Sequence, residues 1–251
     1  MIIDTHCHMY KSEYANAEEI IKKCKNENIK MILNGIDKDS NIEVLELSRK
    51  YDNVYAAIGY DHSIVDEITD EDITLLENQI KSNKVVAIGE IGIDYYWIKD
   101  NKEKQKELFI KQIDLANKYN LPIIVHSRDA VNDVYEILKE KNARGTIHCF
   151  SGSKEMAKEF IKLGFYIGID GPITFNNNKK QVEMIKEIDL NHVLVETDSP
   201  YLSPEPKRGE KNTPLNLKYI IEKIAKECDL TYSEVVKITT DNAIKLYNLE
   251  R

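Results

Sequence analysis

The sequence predicts an α/β protein, a single (β/α)8 TIM barrel with an extra C-terminal helix. Three observations carry that expectation. Eight short runs rich in β-branched residues alternate with amphipathic stretches, and parallel neighbours need such crossovers, which are nearly always right-handed. The chain has 251 residues, close to the ~250 typical of one barrel of eight units. The first run ends in His-Cys-His, where an open doubly wound sheet often carries a glycine-rich phosphate loop.

In chain order the expected strands are IIDTHCH (2–8), IKMILNG (29–35), VYAAIGY (54–60), KVVAIGEIG (84–92), LPIIVHS (121–127), RGTIHCF (144–150), FYIGID (165–170) and HVLVETD (192–198). The segments between them have helical period. Leu108, Gln112, Ile113 and Ala116 make a stripe on an otherwise Lys- and Glu-rich stretch. Ser40 with Glu43, and Thr231 with Glu234, read as capping boxes at helix starts. Two helices are expected to close the chain. Only residues 203–214, SPEPKRGEKNTP, have loop composition, and no linker or repeat divides the sequence. One domain spanning 1–251 is the expectation.

Composition narrows the function classes. Hydrophobic residues make up 42% of the chain, as in ordinary globular proteins. The net charge of -8 supplies no global attraction for nucleic acid or anionic membrane, so any polyanion must be held locally. No apolar run approaches the ~18 residues of a membrane span, and the first residues lack the pattern of a signal peptide. A cytoplasmic protein is expected. The four cysteines form no CxxC pair, which argues for reduced thiols over a disulfide framework or a zinc ribbon. Cys7 and Cys149 are expected to face the helix layer.

The chemistry gathers at strand ends. His6 and His8 sit two apart, so a regular strand points both rings to one face. An HxH pair alone is weak evidence. Yet four of the six histidines, His6, His8, His126 and His148, fall at C-terminal strand ends, together with Glu90 and Asp198. In a barrel those ends form the rim on which active sites are built. Four imidazoles and two carboxylates exceed the needs of one tetrahedral zinc, and a carboxylate can bridge two ions ~3.5–4 Å apart. A binuclear centre follows, with Zn²⁺, Mn²⁺ or Mg²⁺ as candidate ions and imidazole leaning away from magnesium alone. The matching chemistry is hydrolysis of an ester by a metal-activated hydroxide.

The motifs DTHCH (4–8), GEIGIDYYW (89–97), IVHSRDA (124–130), IHCFSG (147–152), ETDSPYL (196–202) and RGEKNTP (208–214) resemble, in their order, the TatD family of metal-dependent hydrolases. The resemblance runs from the first strand to the closing helices. It implies that His6, His8 and Asp198 hold one ion, that His126 and His148 hold the other, and that Glu90 bridges them. It also implies a 3′–5′ exodeoxyribonuclease acting on single-stranded DNA ends, with D-aminoacyl-tRNA deacylation as the carboxyl-ester alternative. A non-catalytic, metal-stabilised binding module is the alternative from another class, and the presence of all six ligand types argues against it. One segment departs from the family pattern: relatives commonly read GxHP after strand three, whereas this chain reads GYDHS (59–63), with Asp61 and His62 in place of the usual His-Pro.

Further candidates surround this set. Asp198 is expected to take the proton of the attacking water, alongside Glu90. Glu196, Asp4 and Asp94 share strand parity with ligands, and Glu196 is the chosen outer-sphere partner. The chain has five arginines against 30 lysines, and Arg128 and Arg208 lie in rim motifs as phosphate forks. Tyr95, Tyr96 and Trp97 are candidates for a platform on which a nucleobase stacks, Tyr95 being the one chosen, and His62 is a candidate proton donor or phosphate contact. Asn212 and Pro214 are expected to shape the covering loop.

Overall fold

The computed structural model describes residues 1–81, 85–97 and 99–250. Its strands are β1 (Ile2–Cys7), β2 (Ile29–Asn34), β3 (Val54–Ile58), β4 (Val85–Asp94), β5 (Ile123–Arg128), β6 (Gly145–Ile147), β7 (Tyr166–Ile169) and β8 (Val193–Val195). The intervening helices are α1 (Ala17–Asn26), α2 (Lys38–Lys50), α3 (Asp70–Ile80), α4 (Lys102–Lys118), α5 (Val131–Lys141), α6 (Lys154–Lys162) and α7 (Lys179–Glu187). Two more, α8 (Leu217–Glu227) and α9 (Tyr232–Tyr247), follow the last strand. Expected strand four begins at Lys84, which lies outside the described residues.

The strands pair in parallel in the order β1 to β8. Closure runs through the continuation of β8: Cys7 bridges Ser199, the His8 amide donates to Ser199 O at 2.7 Å, and the Asp198 amide donates to His6 O at 2.9 Å. The (β/α)8 barrel with closing C-terminal helices is therefore present. No helix among the described residues is long and apolar enough to cross a membrane.

Alternation along the strands divides the apolar residues into two buried clusters, as a period of two requires. Met31, Leu33, Ala56, Ile58, Ile123 and Val125 join the layer between strands and helices. Ile32, Ala57, Ala87, Ile124 and Leu194 instead join Ile3 and the α9 side of the molecule, Ala243, Leu246 and Tyr247. The last helix thus plugs the end of the barrel opposite the rim, burying apolar strand residues that would otherwise meet water.

The expected stripe on α4 is buried at Leu108, Gln112, Ile113 and Ala116. Its polar member is satisfied, because Gln112 accepts from the Tyr60 amide and donates to the Tyr60 carbonyl, both at 2.8 Å. Thr231 and Glu234 form the expected capping box of α9. The Ser40–Glu43 box does not form. Asp37 is the cap of α2, accepting from the Ser40 amide at 2.7 Å while Ser40 returns to the Asp37 amide at 3.0 Å. Aspartate at the cap with serine three residues on satisfies the same two donors, and Glu43 instead accepts from the Lys11 amide. Strands six and eight also stop short of expectation, at Ile147 and Val195. His148, Cys149 and Asp198 therefore stand on irregular backbone above the sheet.

Candidate metal centre

The six expected ligands converge at the rim. His6 and His8 present their Nε2 atoms 3.1 Å apart. Both lie 3.4 Å from Glu90 Oε2, and 3.5 and 3.6 Å from Asp198 Oδ1. The other Glu90 oxygen, Oε1, is 3.0 Å from His126 Nδ1 and 3.2 Å from His148 Nε2. One carboxylate thus faces two histidine pairs with opposite oxygens. The trios His6–His8–Glu90 and Glu90–His126–His148 each gather ligand atoms close enough to hold an ion.

A bulge in β1 separates the histidine pair from the carboxylate before it. The β1 register shifts between Asp4 and Cys7, so period-two parity does not carry through the motif. Asp4 consequently does not turn toward the histidine rings. It accepts from the Thr197 amide at 3.0 Å and the Thr197 hydroxyl at 2.6 Å, tying β1 to the segment after β8. Asp198 itself has φ of +53°, a left-handed conformation that costs a non-glycine residue of order 1–3 kcal/mol.

Outer partners orient the imidazoles. His8 Nδ1 meets the Asn34 carbonyl at 3.0 Å; donation there leaves Nε2 as the lone pair aimed at the cluster. His126 Nε2 lies 3.1 Å from Asp94 Oδ2, whose partner oxygen accepts from the amides of Tyr96 and Trp97 at 2.7 and 2.9 Å. Glu196, fully buried, accepts from the Cys149 amide at 2.5 Å and lies 3.5 Å from His148 Nδ1.

The electrostatics favour a cation. Burial opposes ionisation of Glu90, yet His148 and His6 hold its carboxyl well below the usual range. Burial likewise opposes charge on His8, but Asp198 and Glu90 raise its pKa to about 10, and Asp94 and Glu90 raise that of His126 to about 9. Buried carboxylates here demand positive charge, which protons on imidazole or divalent ions can supply. The donor set fits such ions: the 3.1 Å between His6 and His8 nitrogens approaches the ~3.3 Å separating two ligands held at ~2.0–2.1 Å on a tetrahedral centre.

A pocket of about 650 Å³ opens over the cluster, lined in part by His62, Trp97, Arg128, Cys149 and Tyr201. His62 stacks on His126 with ring centres 4.9 Å apart, and its Nε2 is 3.6 Å from Asp94 Oδ2. Asp61 also lines the pocket and accepts from the Ser63 amide at 2.8 Å. The departure from the usual His-Pro therefore still delivers an imidazole to the pocket, one residue later. Arg128 lies over Tyr96 at 3.9 Å and over Trp97 at 5.3 Å.

Three expectations are corrected. Tyr95 turns away: its hydroxyl donates to Asp133 at 2.6 Å and Lys102 covers its ring, and of the three aromatics after β4 it is Trp97, 68% exposed, that lines the pocket. The turn after β4 packs the Tyr95 ring against the strand–helix core and leaves Tyr96 and Trp97 edge to face, 4.8 Å apart, under Arg128. Arg208 stacks on Phe175 at 4.0 Å and is not among the residues lining the pocket. Cys149 enters the pocket instead of facing the helices, because β6 has ended and its φ of +45° breaks the alternation. Cys7 does stay in the core, its thiol directed at the Ile32 carbonyl. Asn212 also acts as expected, donating to the carbonyls of Thr197 and Tyr201 at 2.8 and 2.7 Å.

Sequence reasoning missed the Asn34 carbonyl, which no side-chain pattern signals, and Asp170, although its place at the end of strand seven was a signal. Asp94 was visible by parity but not as the residue that aims His126.

Comparison with known proteins agrees with this geometry. The sequence profile of the family described as TatD related DNase matches residues 3–248. An uncharacterized metal-dependent hydrolase of Bacillus subtilis, YabD, is 43% identical over 99% of this chain and 100% of its own length. An uncharacterized metal-dependent hydrolase of Mycobacterium tuberculosis named TatD is 30% identical over 99% of this chain and 98% of its own. The crystal structure of YJJV, a TatD homologue from Escherichia coli, superimposes with a TM-score of 0.92 at 28% identity, covering 99% of this chain and 98% of that one. With a rim cluster suited to divalent cations and relatives matched end to end, the chain belongs to the TatD family of metal-dependent hydrolases.

Proposed function

We propose that this protein is a 3′–5′ exodeoxyribonuclease that removes nucleotides from single-stranded DNA ends with two divalent cations, Zn²⁺, Mn²⁺ or Mg²⁺. The observation that carries the reading is Glu90, whose two oxygens face separate histidine pairs, beside a pocket holding Arg128 and Trp97. The match to a family described as TatD related DNase supports DNA as the substrate.

His6, His8 and Asp198 would hold one cation and His126 and His148 the other, with Glu90 shared. Bound there, two cations would supply Lewis acidity and lower the pKa of a water. The residues of the chain do the rest. The Asp198 carboxyl is opposed by burial but kept ionised by His8, His148 and His6, so Asp198 Oδ2 can take the proton of the attacking water while Oδ1 faces His6 and His8. His6, His8, His148 and Glu90 are nearly fully buried, and of these His8, His148 and Glu90 line the pocket. Arg128, held over Tyr96 and Trp97, offers a guanidinium to a backbone phosphate. The exposed face of Trp97 offers stacking to a terminal base, and His62 offers Nε2 across the pocket. We read residues 1–251 as one domain.

The test is a time course on end-labelled single-stranded DNA with Mn²⁺ or Mg²⁺, a chelator control and Glu90→Gln. A ladder shortening from the 3′ end, absent with chelator and with the variant, is expected. An intact oligonucleotide under metal-loaded protein refutes the nuclease reading, and release of amino acid from aminoacyl-tRNA in its place assigns the ester alternative.

A further inference from the structure

The ends of three neighbouring strands bring together a second set of ligand atoms. Cys149 follows β6, Asp170 follows β7 and Asp198 follows β8, and one ligand atom from each lies within 4.8 Å of the others. Asp170 is fully buried, and neither of its carboxylate oxygens has a hydrogen-bond partner. It occupies the cap position of the short helix Gly171–Thr174, yet its side chain makes no capping bond. Glu196, Asp198 and His148 lie near it, and the group closest to a donor for it is the Cys149 thiol, a weak one. A buried carboxyl left without a strong donor is costly, and a cation held between it, Cys149 and Asp198 removes that cost.

We propose that Cys149, Asp170 and Asp198 form a third cation position, suited to a thiophilic divalent ion such as Zn²⁺, whose filling inhibits the hydrolase. Thiolate selects zinc or cadmium over magnesium and manganese, which favour oxygen. Three protein ligands leave the fourth tetrahedral position to water, and Cys149 and Asp198 both line the pocket, which gives the ion a path in. Binding releases the thiol proton to solvent. The inhibitory part rests on the proposed role of Asp198: a carboxylate engaged by a third ion is withdrawn from the His6 and His8 side and from proton transfer.

The test uses Cd²⁺ as probe, because thiolate coordination gives an ultraviolet charge-transfer band that histidine and carboxylate ligands do not. The intact protein should develop the band on titration, and Cys149→Ser should lose it. Asp170→Asn, which keeps the thiol, should weaken the apparent cadmium affinity by at least the ~10–100-fold that loss of an outer partner costs a metal site. No band, a band that survives Cys149→Ser, or an unchanged affinity in Asp170→Asn overturns the site. In parallel, with Mn²⁺ held constant and Zn²⁺ raised, hydrolysis of the labelled oligonucleotide should fall. The half-inhibiting zinc concentration, normalised to each protein's own activity, should rise at least about tenfold in Cys149→Ser. Equal inhibition of both proteins overturns the regulatory part. Absence of cleavage in either protein counts against the nuclease reading, and the cadmium band still decides the cation position.

Discussion

Gly168, in the middle of β7, is predicted to be irreplaceable for the sake of one carboxylate. A Cβ added there would lie 2.5 and 2.6 Å from Glu196 Oε1 and Oε2 and 2.7 Å from its Cδ. Glu196 has no room to retreat, since it is fully buried and accepts from the Cys149 amide at 2.5 Å. Gly168→Ala must therefore displace the carboxylate. Overpacking of this kind costs ~1–3 kcal/mol, and weakening a charged hydrogen bond adds ~1.5–3 kcal/mol if the Cys149 amide is left unpaired. Taking the lower part of the sum, ~2.5–4 kcal/mol, the melting temperature of a chain this long should fall by roughly 5–16 °C. Because Glu196 faces His148, metal affinity should fall ~10–100-fold as well. Thermal denaturation of the chelated protein and calorimetric titration with Mn²⁺ read the two effects separately. Glu196→Gln, which keeps the volume, should lose metal affinity with a smaller drop in melting temperature. Native stability and native metal affinity in Gly168→Ala would refute the argument that this glycine makes space for Glu196.

Three further outcomes are expected. Asn212→Ala removes donors to Thr197 O and Tyr201 O and an acceptor for the Thr213 amide and Asn216; at ~1 kcal/mol or more per bond, the variant should lose ~2–4 kcal/mol in urea denaturation. Leu246→Ala, in the plug of α9, should cost ~2–5 kcal/mol of stability while metal affinity, measured below the transition, stays unchanged, since the plug lies at the other end of the barrel. Trp97→Ala should weaken binding of a single-stranded oligonucleotide by ~1–3 kcal/mol, read by fluorescence anisotropy with Glu90→Gln as background; unchanged affinity would remove the stacking role.

Much of this protein is legible along the chain because its determinants are local. Eight β-branched runs, the α4 stripe and the Thr231–Glu234 cap declare their elements through periodicity and end chemistry that depend only on near neighbours. His6, His8, Glu90, His126, His148 and Asp198 declare themselves by residue type at strand ends, since a parallel barrel gathers all its C-terminal ends on one rim. Where that reasoning stops is also physical. Parity holds only while a strand is regular, so the β1 bulge turns Asp4 away from the histidines and left-handed backbone turns Cys149 into the pocket. Of the three aromatics after β4, Trp97 and not Tyr95 reaches the pocket, because a turn, whose side-chain directions follow no fixed period, carries them. Which Glu90 oxygen meets which histidine pair, that the Asn34 carbonyl aims His8, and that Asp170 lies buried beside Cys149 depend on strands that meet only when the barrel closes. Sequence alone determined the fold and pointed to the six residues that gather at the rim; the tertiary structure decided their orientation, because hydrogen bonds between distant strand ends exist only in the closed barrel.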